Sequence, residues 1–395
     1  MNSILKQFQT LTNIQKILIL IILATISYGL STSLSYTLFS KLSYKTPGAN
    51  QASSGSSLPT ASNALVEDPN APRTESCPLN GAMHTQKAKD FWVQRRPLAV
   101  MIENHQEARP QSGLSFADVV YEAVAEGGIT RFMALYYCNL SDVQVGPVRS
   151  ARTYYLDWLG EYDALYAHVG GANTPGPADA LGQIIKYDVK DLNQFSIGFP
   201  VYWRDYQRLG HPVATEHTMY STTQKLWEVG AKRGWTATDS AGVKWDSKFI
   251  PWKFKDEKPG TTASNINVTF WESQPNYTVE WSYDPTSNSY KRKNGGAAHM
   301  DLDNNTQLSS KVVIVQFEKE SNANDGYPGN VHLLYGTTGS GKALIFQDGV
   351  VTEGKWMKAS RLARTKYVDQ NGKEIQFNKG QIWIQTVPER SKVSY

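Results

Sequence analysis

The stretch from Arg96 to Arg152 constrains the fold most, because it places charged side chains inside a segment that otherwise has the composition of a protein core. It contains Glu126-Gly-Gly-Ile-Thr-Arg131 and Gly146-Pro-Val-Arg149-Ser-Ala-Arg152 among Val, Ala and aromatic residues. Burying an unpaired charge is very costly, so these charges need partners. The stretch therefore forms either a structural ion network or a site that binds a charged ligand.

Buried strands account for the first half of this stretch. The predicted strands are Pro97–Glu103, Asp118–Ala125 and Ile129–Cys138. Gly127-Gly128 predicts a two-residue hairpin loop between the last two strands. In that register Arg131 faces Val124, and Glu122 and Glu126 are its diagonal neighbours on the same face. The register predicts a cross-strand salt-bridge cluster.

The arginines that follow lie at the start of a predicted helix. Ser150 can cap a helix that runs through Leu156 to Glu161. Arg149 and Arg152 then lie at the helix N-terminus, where the partial positive charge of the helix disfavours cations. An anion between the two arginines, either a ligand or a protein carboxylate, explains their position.

A second candidate anion cradle follows along the chain. Residues 164–169 are typical of a strand, with His168 near its end, and Gly170-Gly171 and a helix from about Pro177 come next. The segment Tyr202–Arg208 then mixes aromatic rings with guanidinium groups, including Arg204, and His217 follows it. These aromatic rings either stack on sugars or pack in the core.

The character of the sequence changes at about residue 265, where helix signals end. Short alternating strands are separated there by turns such as Asn294-Gly295 and Asp348-Gly349. We therefore predict an α+β fold with layered mixed sheets and helices in an N-terminal domain, residues 77–250. A β-rich C-terminal domain, residues 265–391, follows it.

The first 45 residues contain no acidic residue, and residues 17–39 are apolar enough to cross a bilayer. We predict a cytoplasmic N-terminus (1–16), a transmembrane anchor (17–39) and a flexible linker (40–76). A cleaved signal peptide is the alternative. No cysteine stands near the end of the apolar segment, which argues against a lipid-anchored N-terminus. The predicted localisation is the plasma membrane, single-pass, with the globular part extracytoplasmic.

The charge balance bears on the partners of the chain. The whole chain has 40 Lys and Arg against 36 Asp and Glu, and four of the lysines lie in the leader, so the remainder is formally neutral. This argues against nucleic acid as a partner, because nucleic-acid binding needs a clustered basic face. Cys77 and Cys138 form one disulfide or remain two separate thiols.

Two apparent ligand motifs fail on inspection. Residues 336–343 approach a phosphate-binding P-loop, but Ala343 replaces the required Ser or Thr, and strands are predicted on both sides. Residues 301–312 open like a calcium loop but lack its Gly and closing Glu. Metal binding by His168, His217 and a carboxylate is an alternative that lacks a close pair of histidines. We predict no metal and no cofactor.

Several motifs together resemble the YerB-like family of bacterial envelope proteins, also called the DUF3048 family. The likeness covers about residues 77–390. The motifs are Cys77-Pro-Leu-Asn-Gly81, Pro97–His105, Arg109–Ser115, Ala117–Glu122, Glu126–Arg131, Gly146–Arg152, Glu216-His-Thr-Met-Tyr220, Phe346–Gly349 and Trp383-Ile384. The resemblance implies an exported lipoprotein or membrane-anchored protein with layered sheets, and it implies no established activity. The chain departs from the family in lacking a lipid-attachment Cys, and in having Thr218 where Asn is expected.

Our first hypothesis is an envelope binding module with an arginine-rich pocket for an anionic polymer or metabolite, since arginine pairs well with carboxylate or phosphate. The predicted ligand-binding residues are Arg109, Glu122, Glu126, Arg131, Arg149, Ser150, Arg152, His168, Arg204 and His217. The alternative is an envelope hydrolase or transferase with Glu126 or His168 as the acid–base group. A third hypothesis is a scaffold whose charges pair internally, with Glu103 in the network.

Overall fold

The structure, a computed structural model, describes Thr12, residues 14–16, residues 68–327 and residues 331–395. The predicted anchor (17–39) and most of the predicted linker lie outside these residues. Among the described residues, no helix is both long and apolar enough to cross a membrane. The described residues from Asp68 onward belong to one compact unit.

This unit is strand-rich with few helices and mixed sheets, in agreement with the predicted α+β class. The α-helices are α1 (Gln86–Trp92), α2 (Thr153–Leu159), α3 (Ala180–Lys186), α4 (Gln194–Ile197) and α5 (Thr223–Lys232). The strands before residue 250 are β1 (Arg73–Ser76), β2 (Met83–Thr85), β3 (Leu98–Glu103), β4 (Val119–Val124), β5 (Thr130–Tyr136), β6 (Gln144–Val145), β7 (Leu165–His168), β8 (Lys190–Asn193), β9 (Trp203–Arg204) and β10 (Met219–Thr222).

The remainder of the chain is almost entirely strands and turns, as the alternating pattern predicts. These strands are β11 (Phe254–Lys255), β12 (Asn265–Thr269), β13 (Val279–Asp284), β14 (Ser289–Asn294), β15 (Ala297–Ala298), β16 (Met300–Asp301), β17 (Thr306–Gln307), β18 (Ser309–Ser310), β19 (Val312–Glu318), β20 (Glu320–Asn322), β21 (Leu333–Tyr335), β22 (Gly339–Gln347), β23 (Val350–Lys358), β24 (Lys366–Asp369), β25 (Phe377–Asn378), β26 (Ile382–Pro388) and β27 (Lys392–Ser394). Residues 339–343 of the segment that approaches a P-loop are the first part of β22, so its last two glycines lie in a strand and no helix follows them.

A ten-stranded mixed sheet runs through the unit in the order β24-β23-β22-β19-β26-β4-β5-β3-β7-β8. The two parts of the chain contribute five strands each, and they meet where β26 pairs in parallel with β4, from Ile382–Val119 to Gln385–Glu122. One sheet therefore crosses the predicted boundary at residues 250–265. The division into domains 77–250 and 265–391 stays a prediction.

Different layers cover the two faces of this sheet, and two adjacent residues of β4 mark them. Successive side chains of a strand point to opposite faces. Tyr121 stacks on Trp158 of α2, with 5.4 Å between ring centroids. Glu122 instead contacts Arg292 of β14, which belongs to a six-stranded sheet in the order β15-β14-β13-β12-β27 with β18 beside β14. Helix α2 thus covers one face, and the smaller sheet covers the other.

The hairpin of β4 and β5 differs from the predicted register by one residue. Arg131 pairs with Ala123, and Val124 pairs with Thr130. The Ala125 N–H donates to Ile129 O, so the loop has three residues instead of two. Gly127 and Gly128 have φ values of 61° and 80°, which suit glycine, but the loop also includes Glu126. The predicted placement of Arg131 opposite Val124 is therefore wrong.

The predicted helix cap is also wrong. Helix α2 begins at Thr153, its N-cap is Arg152, and no side chain caps it. The residues before it are held by bonds to other parts of the chain, because Arg149 N–H donates to Met101 O and Ala151 N–H donates to Gly170 O. Ser150 lies between these two residues, two positions before the N-cap.

Cys77 and Cys138 form a disulfide, the first of the two alternatives that the sequence left open.

Candidate functional site

The carboxylate of Glu126 lies between two of the predicted ligand-binding arginines. Arg152 Nε donates to Glu126 Oε1, and Arg131 Nη2 lies 3.4 Å from Glu126 Oε2. Burial alone raises the pKa of Glu126, but the charges of Arg131 and Arg152 outweigh burial and lower it to about 2. Arg131 also donates to Ser150 O at 3.0 Å. The anion was predicted between Arg149 and Arg152, but the carboxylate beside Arg152 is Glu126, shared with Arg131, and Arg149 pairs with Glu103 instead. An ionised Glu126 held by two arginines is not favoured as an acid–base group.

Glu122 does not join this cluster, and the structure corrects its predicted role as a partner of Arg131. Its side chain is 0% exposed on the opposite face of the sheet, and Glu122 Oε1 lies 2.8 Å from Arg292 Nη2. Thr130 donates to the same carboxylate, as do Trp383 at 3.0 Å and Gln385 at 3.1 Å. Because donors surround both oxygens, Glu122 holds the two sheets together and has no access to a ligand.

His168 is engaged in the same way. It is fully buried at the end of β7, and its Nδ1 lies 2.7 Å from Gly170 O. Its Nε2 lies 2.7 Å from Asp191 Oδ1 on the neighbouring strand β8. Since both ring nitrogens have partners, this geometry favours a structural role for His168 over the predicted acid–base or ligand-binding role.

Arg109 lies at a different cavity from the other predicted arginines. It donates to Asn104 Oδ1 and Asn104 O, both at 3.0 Å, and to Asn276 O at 3.1 Å. The cavity beside it has a volume of about 320 Å³ and is lined by His299 and Asn294, among others. Burial lowers the pKa of Arg109 to about 10. Its donors are taken up by neutral oxygens, so it supports the loop between β3 and β4.

Arg149 and His217 share one carboxylate, that of Glu103 at the end of β3. Arg149 Nε donates to Glu103 Oε1 at 3.0 Å, and His217 Nδ1 lies 2.8 Å from Glu103 Oε2. Burial raises the pKa of Glu103, but the His217 hydrogen bond and the Arg149 charge outweigh burial and lower it. The same hydrogen bond raises the pKa of His217 against the effect of burial. This arrangement leaves the Nη1 and Nη2 groups of Arg149 without a hydrogen-bond partner in the described part of the chain.

An open cavity of about 590 Å³ lies beside Arg149, and we call it the arginine pocket. Arg204 also lines it, and the Nη1 of this exposed side chain donates to Thr215 O and to Thr218 Oγ1. No described carboxylate forms an ion pair with Arg204. The complete lining is Val148, Arg149, Ser150, Val169, Gly170, Gly171, Asn173, Leu181, Phe195, Arg204, Thr215, Glu216 and Met219.

The floor and rim of the arginine pocket offer further contacts. The Ser150 side chain makes no hydrogen bond to any described residue, so its hydroxyl is available. Gly170 has a φ of 58°, and a Cβ there would come within 2.9 Å of the Phe195 ring. Phe195 is 76% exposed at the rim, where an aromatic face can stack on a sugar. Glu216, also exposed, adds one acceptor to the same rim.

The structure thus brings together three of the predicted ligand-binding residues, Arg149, Ser150 and Arg204, and places His217 next to them. Phe195 and Glu216 complete this surface, and Glu103 lies behind it as the buried partner of Arg149 and His217; all three were absent from the predicted ligand-binding set. Glu103 and His217 are 114 residues apart in sequence, and no spacing rule connects them. The one available signal was the charge at the end of an otherwise apolar strand, Leu98–Glu103.

Two groups of side chains in the described residues have the donor types of a metal site. Cys77, Asp118 and Cys138 form the first group, but the disulfide uses both sulfur atoms. His105, Glu107 and His217 form the second, with one ligand atom of each within 4.8 Å of the others. His168 belongs to neither group, so the alternative site of His168, His217 and a carboxylate is not assembled within the described residues.

Comparisons with known proteins agree on one family. Residues 81–236 match the model of the protein of unknown function (DUF3048) N-terminal domain, and residues 266–384 match that of the DUF3048 C-terminal domain. The chain is 31% identical over 331 residues to "Putative lipoprotein YerB" of Bacillus subtilis (strain 168), covering 82% of this chain and 90% of that protein. The crystal structure of the YerB protein from Bacillus subtilis is similar at a TM-score of 0.66 and 27% identity. That match covers 82% of this chain and all of that one.

Proposed function

Since this chain belongs to the DUF3048 family, whose function is unknown, we propose its function from its own site: it binds an anionic group of an envelope polymer or metabolite in the arginine pocket. The observation that carries this proposal is Arg204, an exposed side chain without a described carboxylate partner, which lines the same cavity as Arg149. Arg149 uses only its Nε in hydrogen bonds to described residues. Guanidinium groups bind carboxylate and phosphate by paired hydrogen bonds.

The local charges also indicate what else the ligand carries. Glu103 forms an ion pair with Arg149, so Arg204 is the arginine of the pocket whose charge no described carboxylate pairs with. Glu216 at the rim repels a ligand that is anionic throughout and accepts hydrogen bonds from hydroxyl or ammonium groups. The ligand that fits has one anionic group, with hydroxyl or ammonium groups beside it, and a sugar face for Phe195.

Isothermal titration calorimetry with two probes tests this function. A glycerol phosphate oligomer supplies phosphodiesters with hydroxyl groups, and a glutamate oligomer supplies carboxylates. We expect one of the probes to bind, and Arg204→Gln to weaken it about tenfold or more, because hydrogen bonds to charged groups contribute about 1.5–3 kcal/mol each. Arg149→Gln should weaken the same probe.

Arg233→Gln is the matched control. Arg233 is likewise exposed and likewise donates from Nη1 to a backbone carbonyl, that of Asp191, but it does not line the arginine pocket. Equal loss of affinity in Arg233→Gln and Arg204→Gln would mean that binding depends on overall charge and not on this pocket. No binding of either probe to the wild-type chain would also contradict the proposal.

We further propose that the chain is membrane-anchored by residues 17–39, with its globular unit extracytoplasmic. The similarity to a protein described as a lipoprotein supports envelope association, and a disulfide is typical of oxidising compartments. Since Cys77 and Cys138 are both in that disulfide, the apolar segment is the anchor that we favour over a lipid. Deleting residues 17–39 should release the chain from the membrane fraction. A lipid adduct in the intact mass of the wild-type chain would contradict this anchor.

The enzyme alternative stays a prediction, and no contact of Glu126 or His168 favours it.

A further inference from the structure

Two histidines from distant parts of the chain stack on each other beside the arginine pocket. His105 follows β3 and is the N-cap of a short 3₁₀ helix, Gln106–Ala108, which contains Glu107. His217 ends another 3₁₀ helix, Thr215–His217. The two rings are almost parallel, with an interplanar angle of 9° and 4.8 Å between centroids. The fold therefore places two imidazoles and one carboxylate around a common point.

The environment of His217 orients one ring nitrogen toward that point. Its Nδ1 lies 2.8 Å from Glu103 Oε2, and because an ionised carboxylate oxygen only accepts, Nδ1–H donates this hydrogen bond. The lone pair of a neutral ring is then on Nε2, which lies 3.7 Å from Glu107 Oε2. This distance is too long for a hydrogen bond, and Nε2 makes none to any described residue. A histidine held through one nitrogen by a carboxylate is the usual arrangement of a metal ligand.

His105 has to rotate out of its stack on His217 to contribute, because an imidazole binds an ion in its own ring plane and the two planes are almost parallel. The Glu107 N–H donates a long hydrogen bond of 3.3 Å to His105 Nδ1. Binding of an ion through either ring nitrogen of His105 breaks this hydrogen bond, because the ion takes the Nδ1 lone pair or requires the proton to be on Nδ1. The Glu107 side chain is 57% exposed, so its carboxylate can reach inward without losing a partner other than the 3.7 Å contact to His217. His217 itself is only 5% exposed, which fixes one ligand in place.

We propose that His105, Glu107 and His217 bind a divalent cation of the Zn²⁺ class. Two imidazoles and one carboxylate are typical zinc donors, and this set leaves a fourth position open to water or to a ligand. Glu103 accepts a hydrogen bond from His217 Nδ1, which holds the ring, and its other oxygen accepts from Arg149 and offsets that charge. Glu216, next to His217 in sequence, adds a negative charge nearby. The inference does not depend on anion binding in the arginine pocket.

Calorimetric titration of the full purified chain with Zn²⁺ alone, and the visible absorption of bound Co²⁺, test this site. We expect one ion per chain, and absorption that indicates imidazole ligation. Losing a residue that hydrogen-bonds to a metal ligand typically weakens metal binding by about 10–100-fold, so loss of a ligand itself, in His105→Ala or Glu107→Gln, should weaken it by at least the upper end of that range. His211→Ala is the matched control, because His211 is exposed, lies in the same loop region and is outside the cluster.

The outcomes separate cleanly. Binding that is lost in His105→Ala and Glu107→Gln but kept in His211→Ala supports the site, provided that the metal-free variants have the melting temperature of the metal-free wild type. Glu107→Gln serves this purpose best, because the exposed Glu107 carboxylate makes no hydrogen bond to a described residue. No Zn²⁺ binding by the wild-type chain overturns the proposal, as does binding that both cluster variants retain. Zn²⁺ binding without binding of any anionic probe would contradict only the function proposed for the arginine pocket.

Discussion

Replacing Glu122 with glutamine should destabilise the protein strongly, because Glu122 joins the ten-stranded sheet to the smaller sheet. Its carboxylate receives donors from Thr130, Arg292, Trp383 and Gln385, and both Glu122 and Arg292 are 0% exposed. Removing one partner of a buried ion pair costs about 3–5 kcal/mol. A glutamine amide also turns an NH₂ group toward one pair of donors, so we expect a loss of about 4 kcal/mol.

The assay is equilibrium unfolding in urea followed by tryptophan fluorescence, with Glu374→Gln as the control. Glu374 forms an ion pair with Lys253 at 2.8 Å, but the two side chains are 29% and 62% exposed. Exposed pairs contribute about 1 kcal/mol or less. The double variant Glu122→Gln/Arg292→Met removes both charges and should be more stable than the sum of the single losses predicts. A Glu122→Gln protein within about 1 kcal/mol of the wild type would refute the reasoning.

Three further predictions concern stability. Reducing the Cys77–Cys138 disulfide should lower the free energy of unfolding by about 4 kcal/mol, because a bridge between cysteines 61 residues apart reduces the conformational entropy of the unfolded chain. An unchanged urea midpoint in reductant would contradict this. Burial raises the pKa of Glu318 to about 8, so the stability that the protonated carboxyl contributes should be lost as pH rises from about 4.3 to 8, and Glu318→Gln should flatten that slope. Parallel profiles of wild type and variant in urea titrations between about pH 4.3 and pH 8 would refute it. Glu126 predicts the opposite pH dependence, because two arginines lower its pKa to about 2 against the effect of burial. Stability should be lost as pH falls from about 4.3 toward 2. A wild-type profile as flat in that range as the profile of Glu126→Gln would contradict the reasoning.

The strands were predictable from sequence because each is marked by the apolar or alternating pattern of its own residues. The apolar run ending at Glu103 forms β3, and the runs around Gly127-Gly128 form β4 and β5. The turn-punctuated region after residue 265 is β-rich, as its alternation indicates. These features need only the residues of the element itself.

The register and the helix cap were not predictable in the same way. Glycine pairs allow more than one loop length, and the chain adopts the three-residue loop that places Glu126 beside both Arg131 and Arg152. The tertiary bonds of Arg149 and Ala151 override the capping preference of Ser150. In both cases the local alternatives differ little in free energy, so contacts with distant parts of the chain decide between them.

The candidate site was predictable only as a region. Charged residues in a stretch with the composition of a core indicated that Glu122, Arg149 and their neighbours need partners. They did not indicate which acid pairs with which arginine. Glu122 and its partner Arg292 are 170 residues apart, and the pairing depends on the order of strands in two sheets. The stacking of His105 on His217 likewise arises from the fold, which brings two loops together.

A crystal structure of the protein with a bound glycerol phosphate or glutamate oligomer tests the central claim most directly. The account predicts an anionic group of the ligand within hydrogen-bond distance of the guanidinium groups of both Arg149 and Arg204, with Ser150 alongside. A ligand bound at another cavity, such as the one lined by Arg109, with the arginine pocket filled only by water, would contradict it.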